Sequence, residues 1–306
     1  MDNRVSPKKG YFRTLGHKMY TYRESYLMFA PYFILFFIFI VLPVLTSIYF
    51  SFTSFDMVNA PKFTGFENYV RLFFDDDIFI IAVKNTLIFA VITGPLSYLA
   101  SLLLAWFINE LTPKLRSLMT LIFYAPSIAG NAFVIWTFIF SGDRYGMVNG
   151  LLLDFGFIQE PVRWLTDPAH MLGVIILVQL WMSLGAGFLS FIAGLQSVDR
   201  SLYESGSIDG IKNRWQELWH ITLPTMKPQL MFGAVMQIAS SFAAGGVCSA
   251  LAGFPSTDYA AHTVILHVQD VGTLRYEMGY ASAISVVLFI TMILTKSVIG
   301  AILKED

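Results

Sequence analysis

The sequence predicts an all-α integral membrane protein with six transmembrane helices. Of its 306 residues, 56% are hydrophobic and only 13% are charged, whereas a soluble domain carries about 25% charged residues. Mean hydropathy is +0.62. Six apolar runs, each near the roughly 20 residues that carry a helix across a bilayer, alternate with polar connections. The formal net charge of -1 gives no bulk attraction to nucleic acid or to anionic solutes. The single cysteine, Cys248, lies within an apolar run. It has no intrachain partner for a disulfide and reads as a small packing residue.

Residues 1–25 form a basic tail with Arg4, Lys8, Lys9, Arg13, Lys18 and Arg23. The apolar run that follows, 26–51, exceeds the roughly 7–15 residues of a signal-peptide core, and no small-residue cleavage site follows it. It reads as a retained first span, with Pro31 near its start and Pro43 expected to kink it. The connection 52–80 holds Gly65-Phe66-Glu67-Asn68-Tyr69 and has the character of an amphipathic interfacial segment. The second span, 80–108, contains Asn85-Thr86-Leu87 and is interrupted by Pro95, which membrane helices tolerate when neighbouring groups satisfy the freed carbonyl. A basic link, 109–117, leads to the third span, 118–140, which contains Pro126, Ser127 and Asn131. The polar connection 141–169 precedes the fourth span, 171–195. The fifth span is 229–251. A third polar connection, 252–279, carries His262, His267, Asp270 and Glu277, and the sixth span is 280–303. The membrane-embedded body is thus 26–303, with a core at 80–303 and a short end at 304–306.

Basic residues set the orientation, because short cytoplasmic segments carry the excess of Lys and Arg. Of the 20 Lys and Arg residues, 14 lie in the N-terminal tail, the link 109–117, the stretch 197–228 and the C-terminal end. The other six are Lys62, Arg71, Lys84, Arg144, Arg163 and Arg275. Both termini and the stretch between spans four and five are therefore expected in the cytoplasm, with 141–169 and 252–279 outside.

That stretch, 203–228, is the most patterned polar segment: YESGSIDGIKNRWQELWHITLPTMKP. Residues 203–209 read as one short helix. Asp209-Gly210 is a turn signal, since glycine takes positive φ without cost. Asn213 can cap a second helix over 214–220. Trp215, Leu218 and Trp219 fall at i, i+3 and i+4, one apolar stripe suited to a partner groove. Pro224 is expected to end this helix, because a proline pushes its predecessor out of the α region.

The segment resembles the EAA loop of bacterial ABC importer permeases. Glu204 matches the motif's Glu, Asp209-Gly210 its Asp-Gly, and Ile221, Leu223 and Pro224 its Ile-x-Leu-Pro end. Two departures stand out. Ser205-Gly206 replace Ala-Ala, which weakens the first helix by about 1 kcal/mol through the glycine. The interval from Gly210 to Ile221 is one residue longer than the common form, and a turn after Gly210 is expected to absorb it. Gly65-Phe66-Glu67-Asn68-Tyr69 and Asn85-Thr86-Leu87 are similar to a signature ahead of the core in the sugar permeases of this family. The resemblance covers about 26–303 and implies a maltose-type, type I ABC importer permease in the bacterial inner membrane. It further implies a second permease subunit, two cytoplasmic ATPase subunits that bind ATP and Mg, and an extracytoplasmic sugar-binding protein. The loop residues Glu204, Ser205, Gly206, Asp209, Gly210, Trp215, Leu218, Trp219, Ile221, Leu223 and Pro224 would couple to the ATPase.

The chain has no GxxxxGK[ST] phosphate loop and no HExxH, Cys/His zinc spacing or GxSxG motif, so it brings no nucleotide, metal or nucleophile site of these kinds. His262, His267 and Asp270 sit in an outer connection, where their spacing fits polar surface residues. Spans four and five carry uncharged polar groups at helical spacing: Gln179 and Ser183 on one, Gln237, Ser240 and Ser241 on the other. Such groups, with Trp181 and Phe242 nearby, suit a neutral, hydroxyl-rich ligand. They equally suit helix–helix packing. In maltose-type permeases the spans flanking the loop help line the cavity, so the resemblance adds sugar contact for Gln179, Ser183, Gln237 and Ser241. Two other classes remain. A secondary transporter would need an ionisable residue inside a span or an internal repeat, and a membrane-embedded enzyme would need a catalytic constellation. The sequence offers neither.

Overall fold

The computed structural model describes residues 22–304; the basic tail up to residue 21 lies outside the described residues, as do 305 and 306. Among the described residues, five helices are long and apolar enough to cross a membrane: Arg23–Phe50, Asp77–Asn109, Pro168–Ser197, Lys227–Ala252 and Met278–Ala301. The third expected span is not one helix. It forms Pro113–Ile128 and Val134–Ile139, separated by a non-helical stretch over 129–133. Ala129-Gly130-Asn131 follow Pro126 there, and glycine and asparagine both favour leaving the helix.

Residues Arg23–Phe50 (α1) form one helix, with a π turn at Phe37–Val41. Leu42 N–H bonds the carbonyl of Phe37, a widened turn immediately before Pro43, which has no N–H to give. A two-residue antiparallel pair, Thr53–Ser54 with Lys62–Phe63, and the short helix Glu67–Phe74 (α2) follow. Asn68 donates to the carbonyls of Ser51 and Thr53, both at 2.9 Å, and the Tyr69 hydroxyl reaches Ser51 Oγ at 2.7 Å. This fastens the connection to the end of α1.

The centre is a three-helix junction of Asp77–Asn109 (α3), Ala186–Ser197 (α4) and Lys227–Phe242 (α5). Glycines permit the closest approach. Gly187 and Gly233 face each other where α4 crosses α5, and a Cβ on Gly233 would overlap the Phe191 ring. Phe188, Phe191 and Leu195 of α4 fill the space against Ala105 and Ile108 of α3. Pro95 sits inside α3 without ending it. Pro168–Met182 (α6) precedes α4, and the two are separated by a break at 183–185. Span five breaks likewise at 243–244, before Gly245–Ala252 (α7). Met278–Lys304 (α8) packs against the last part of α1 and against α5. Cys248 is buried in the core around Phe89 and Val178.

At the end of the bundle away from 203–228, the connection 252–274 is pinned inward. Asn85 of α3 donates to the carbonyls of Tyr259 and His262 at 2.9 and 3.0 Å, and Thr86 Oγ1 accepts from Val264 N–H at 2.9 Å. His262 and His267 are not surface residues. Both are fully buried, His262 Nε2 lies 3.4 Å from His267 Nδ1, and His267 Nε2 reaches Asp76 at 2.9 Å. The Tyr280 hydroxyl donates to the same carboxylate at 2.6 Å. Asp76 is also the N-cap of α3, accepting from Phe79 N–H. Asp270 is not part of this chain of bonds and pairs with Arg275 at 2.6 Å. No group of three metal-ligating side chains occurs among the described residues.

Candidate functional site

The stretch 203–228 folds as a compact helix–turn–helix projection. Arg200–Ile208 (α9) begins at Asp199, whose carboxylate accepts from Ser201 N–H at 3.0 Å. The chain turns at Gly210, φ +96°, which lies in the left-handed region. Asn213 caps Arg214–Glu217 (α10) by accepting from Gln216 N–H at 2.9 Å, and the Gln216 amide returns a bond to Lys212 N–H at 2.8 Å. This reciprocal pair resembles a capping box, with two donors satisfied together, except that Gln216 Oε1 accepts from the residue before the N-cap.

Beyond Glu217 the helix widens into a π turn, Leu218–Thr222, and continues through Leu223–Thr225. Pro224 therefore does not end the helix as expected. Leu223 stays in the α region, with its N–H bonded to the carbonyl of Leu218. The wider turn accommodates a proline that supplies no N–H, and a π turn is one residue longer than the α turn it replaces. The chain leaves the helix at Met226.

Burial divides the expected apolar stripe. Trp215 and Trp219 are 53% and 64% exposed, whereas Leu218 is only 4% exposed. Leu218 and Ile221 point into the bundle, and the outer face keeps the two tryptophans with Leu202 and Ile208. Glu204, Ser205 and Asp209 are exposed on α9 and the turn. Gly206 is buried, and a Cβ there would lie 2.7 Å from Ile221 Cδ1. Its cost in helix propensity comes with close seating of the two helices, which propensity alone does not show.

Two contacts hold the projection to the bundle: Arg214 pairs with Glu110 at 3.0 Å, and the Trp106 and Trp215 rings lie 5.1 Å apart. Within the projection, the Tyr203 and Thr222 hydroxyls meet at 2.9 Å and Arg214 also pairs with Glu217 at 2.8 Å. Glu110 and Trp106, at the end of α3, were not among the expected site residues. Their role depends on the fold, and no local spacing connects them to the motif.

The uncharged polar residues of spans four and five do come together. Gln179 donates to Ser240 at 3.4 Å, and Gln237 donates to the carbonyl of Ser183 at 3.3 Å. That carbonyl lies at the break at 183–185 and also accepts from Gly185 N–H at 2.8 Å, so the amide is its second donor. Ser241 accepts from Thr93 of α3 at 3.1 Å. Ser240 is exposed, the other four buried or nearly so. Trp181 packs edge-on against Trp136, and Phe242 lies in the apolar core. An apolar cavity of ≈ 420 Å³ adjoins this junction, bounded by Gly94, Pro95, Tyr98, Gln237 and Ser241.

Residues 86–304 match the model of the "binding-protein-dependent transport system inner membrane component". The chain belongs to this family. It is 32% identical over 284 residues to the "Probable ABC transporter permease protein YesP" of Bacillus subtilis (strain 168), covering 89% of each chain. It is 34% identical over 223 residues to the "Lactose transport system permease protein LacF" of Rhizobium radiobacter, covering 71% of this chain and 72% of that one. Among solved structures it is similar to a chain of the "bacterial alginate ABC transporter in complex with alginate pentasaccharide-bound periplasmic protein". That likeness has a TM-score of 0.73 at 25% identity, covering 92% of this chain and 93% of the other. The protein is thus a multi-pass membrane permease subunit, a transport component and not itself an enzyme. The readings as a secondary transporter or a membrane-embedded enzyme are set aside.

Proposed function

We propose that this chain forms half of the translocation path of an ATP-driven carbohydrate importer. A second permease of the same family supplies the other half, and an extracytoplasmic protein delivers the sugar. Two cytoplasmic subunits bind ATP and Mg and drive the cycle, while this chain carries no nucleotide site. The observation that carries this reading is the projecting helix–turn–helix at 203–228, with Glu204, Trp215 and Trp219 on its exposed side. In this reading both termini and the projection face the cytoplasm, and the broken segment 113–139 makes the third of six crossings. An even number of crossings leaves both ends on the side rich in Lys and Arg.

Gln179, Ser183, Gln237, Ser240 and Ser241 supply the substrate contacts. In the present packing they bond across helix junctions. Separation of those helices frees the same amides and hydroxyls for a polyol, which replaces their partners without burying charge. Carbohydrate as the solute class is supported by the lactose permease among the relatives and by the alginate transporter among the structural neighbours. The test is uptake of labelled mono- and oligosaccharides by cells that express or lack this subunit. Subunit-dependent uptake of one carbohydrate is expected. Uptake of none, with a different solute carried instead, would overturn the substrate assignment.

A further inference from the structure

We infer that the cytoplasmic half of the path is a lane of uncharged hydrogen-bonding groups on helix Pro113–Ile128, running from Ser127 through Tyr124 and Thr120 to Ser117. This rests on the carbohydrate-importer reading and names where the solute travels after leaving the junction of spans four and five.

Four observations place the lane. First, a cavity of ≈ 410 Å³ lies between Pro113–Ile128 and α4, and Ser117, Thr120, Tyr124 and Gln196 contribute to its wall. Its lining differs from that of the apolar cavity beside Gly94, which is almost wholly hydrocarbon. Secondly, residues 117, 120, 124 and 127 recur at i, i+3, i+7 and i+10, which is one face of a helix. Leu115, Leu118 and Ile122 occupy the opposite face and are exposed, as suits contact with lipid. Thirdly, the lane meets the proposed substrate junction. Ser127 Cβ lies 3.8 Å from the Cβ position of Gly185, within the break whose Ser183 carbonyl receives the Gln237 amide. Fourthly, the hydroxyl hydrogens of Ser117, Thr120 and Ser127 go to carbonyls of their own helix at 3.0, 2.8 and 2.8 Å. Their oxygens keep lone pairs for an incoming hydroxyl, and the exposed Gln196 amide can both donate and accept.

Arg116 is the charged member of this wall, and it is held by the carbonyls of Asn109 and Leu111 at 2.7 and 3.2 Å. The lane therefore offers a neutral polyol a succession of weak, exchangeable partners. A path must bind its solute well enough to admit it and weakly enough to release it.

The test uses the assembled transporter with Cys248→Ala, which removes the native thiol. Single cysteines are placed at Thr120 and Tyr124, and at Leu118 and Ile122 as controls. A charged, membrane-impermeant thiol reagent is applied from the cytoplasmic side of inverted vesicles. Thr120→Cys and Tyr124→Cys are expected to label several-fold faster than the controls, and their labelling is expected to block uptake. Thr120→Val and Tyr124→Phe, which keep shape and remove hydroxyls, are expected to slow uptake several-fold while the ATPase still co-purifies. Labelling as slow as at Leu118→Cys in the complex would overturn the lane. If it is then fast in the isolated permease, the face is a subunit interface; if slow there as well, it is packed or lipid-covered. Slow labelling alongside carbohydrate uptake would count against the lane alone. Fast labelling without carbohydrate uptake would count against the substrate reading alone.

Discussion

Folding makes His262 a weaker base. Burial first, and the neighbouring His267 second, push its pKa from 6.5 down to about 4. The neutral ring is thus favoured in the folded state, while the unfolded chain takes up a proton below pH 6.5. Its contribution to stability is full above pH 6.5 and is lost progressively as pH falls toward 4. Thermal unfolding of the purified protein between pH 8 and pH 4.5 is expected to show a falling Tm over that window. His262→Gln, which keeps a donor toward His267, is expected to flatten the decline. An equal slope in the variant would show that another group titrates. Burial alone would raise the Asp76 carboxyl, but bonds from His267, Tyr280 and Phe79 N–H hold it below the usual carboxylate range. Its contribution is lost at still lower pH and does not shape the same window. Gln237 gives a second prediction at this scale. Gln237→Leu removes the amide that meets the Ser183 carbonyl while roughly keeping volume. Uptake is expected to fall with ATPase association intact, and unchanged uptake kinetics would assign Gln237 to packing alone.

At the scale of elements, local chemistry made some features legible and tertiary context concealed others. Asn213 as a cap and Gly210 as a positive-φ turn are visible because residue type and position specify them directly. The π turn at Leu218–Thr222 is less visible, because no residue type marks it. It lets the helix run through Pro224, and the burial of Leu218 beside the exposed Trp219 is set by the bundle that the stripe meets. The break in 129–133 is similar, since an apolar run gives length but not continuity. The burial of His262 and His267 is hidden for a different reason: a polar connection reads as surface until α3 and its N-cap supply Asp76, Asn85 and Thr86 to pair with it. The Gln237–Ser183 and Gln179–Ser240 partners likewise follow from helix packing that one sequence does not reveal. The pin on the far connection yields a prediction. Asn85→Ala leaves the buried His262 carbonyl without its side-chain donor, at a cost of about 1–3 kcal/mol in the limit of full burial, while the Tyr259 carbonyl keeps the His262 N–H. Hydrogen exchange is expected to rise over 252–264 and not over 203–228. Unchanged protection in 252–264 would show that Asn85 does not hold the connection.

At the scale of the whole molecule, the projection is tied directly to the central helices. Glu110 and Trp106 end α3, Arg214 and Trp215 join it to the projection, and Met226 turns the chain into α5. A force applied to 203–228 thus reaches all three helices at the central junction, α4 through the two-residue link 198–199 to α9. Impermeant thiol labelling from outside is expected to modify cysteines placed at 145 and 258 but not at 212, and outside labelling at Lys212→Cys would invert the topology. In the proposed importer, 203–228 is where the ATPase engages. Gly210→Pro cannot adopt φ +96°, because the proline ring fixes φ near about −65°. Glu204→Ala removes an exposed charge that, once partly desolvated against a cationic partner, is worth about 2–5 kcal/mol. Neither residue lies in a membrane-crossing helix, so both variants are expected to insert normally. The decisive measurement is the amount of ATPase that co-purifies with each variant permease pair, read together with ATP hydrolysis stimulated by the loaded sugar-binding protein. Loss of the ATPase, or hydrolysis no longer coupled to uptake, is the predicted result; full assembly with wild-type coupling in both variants would contradict it.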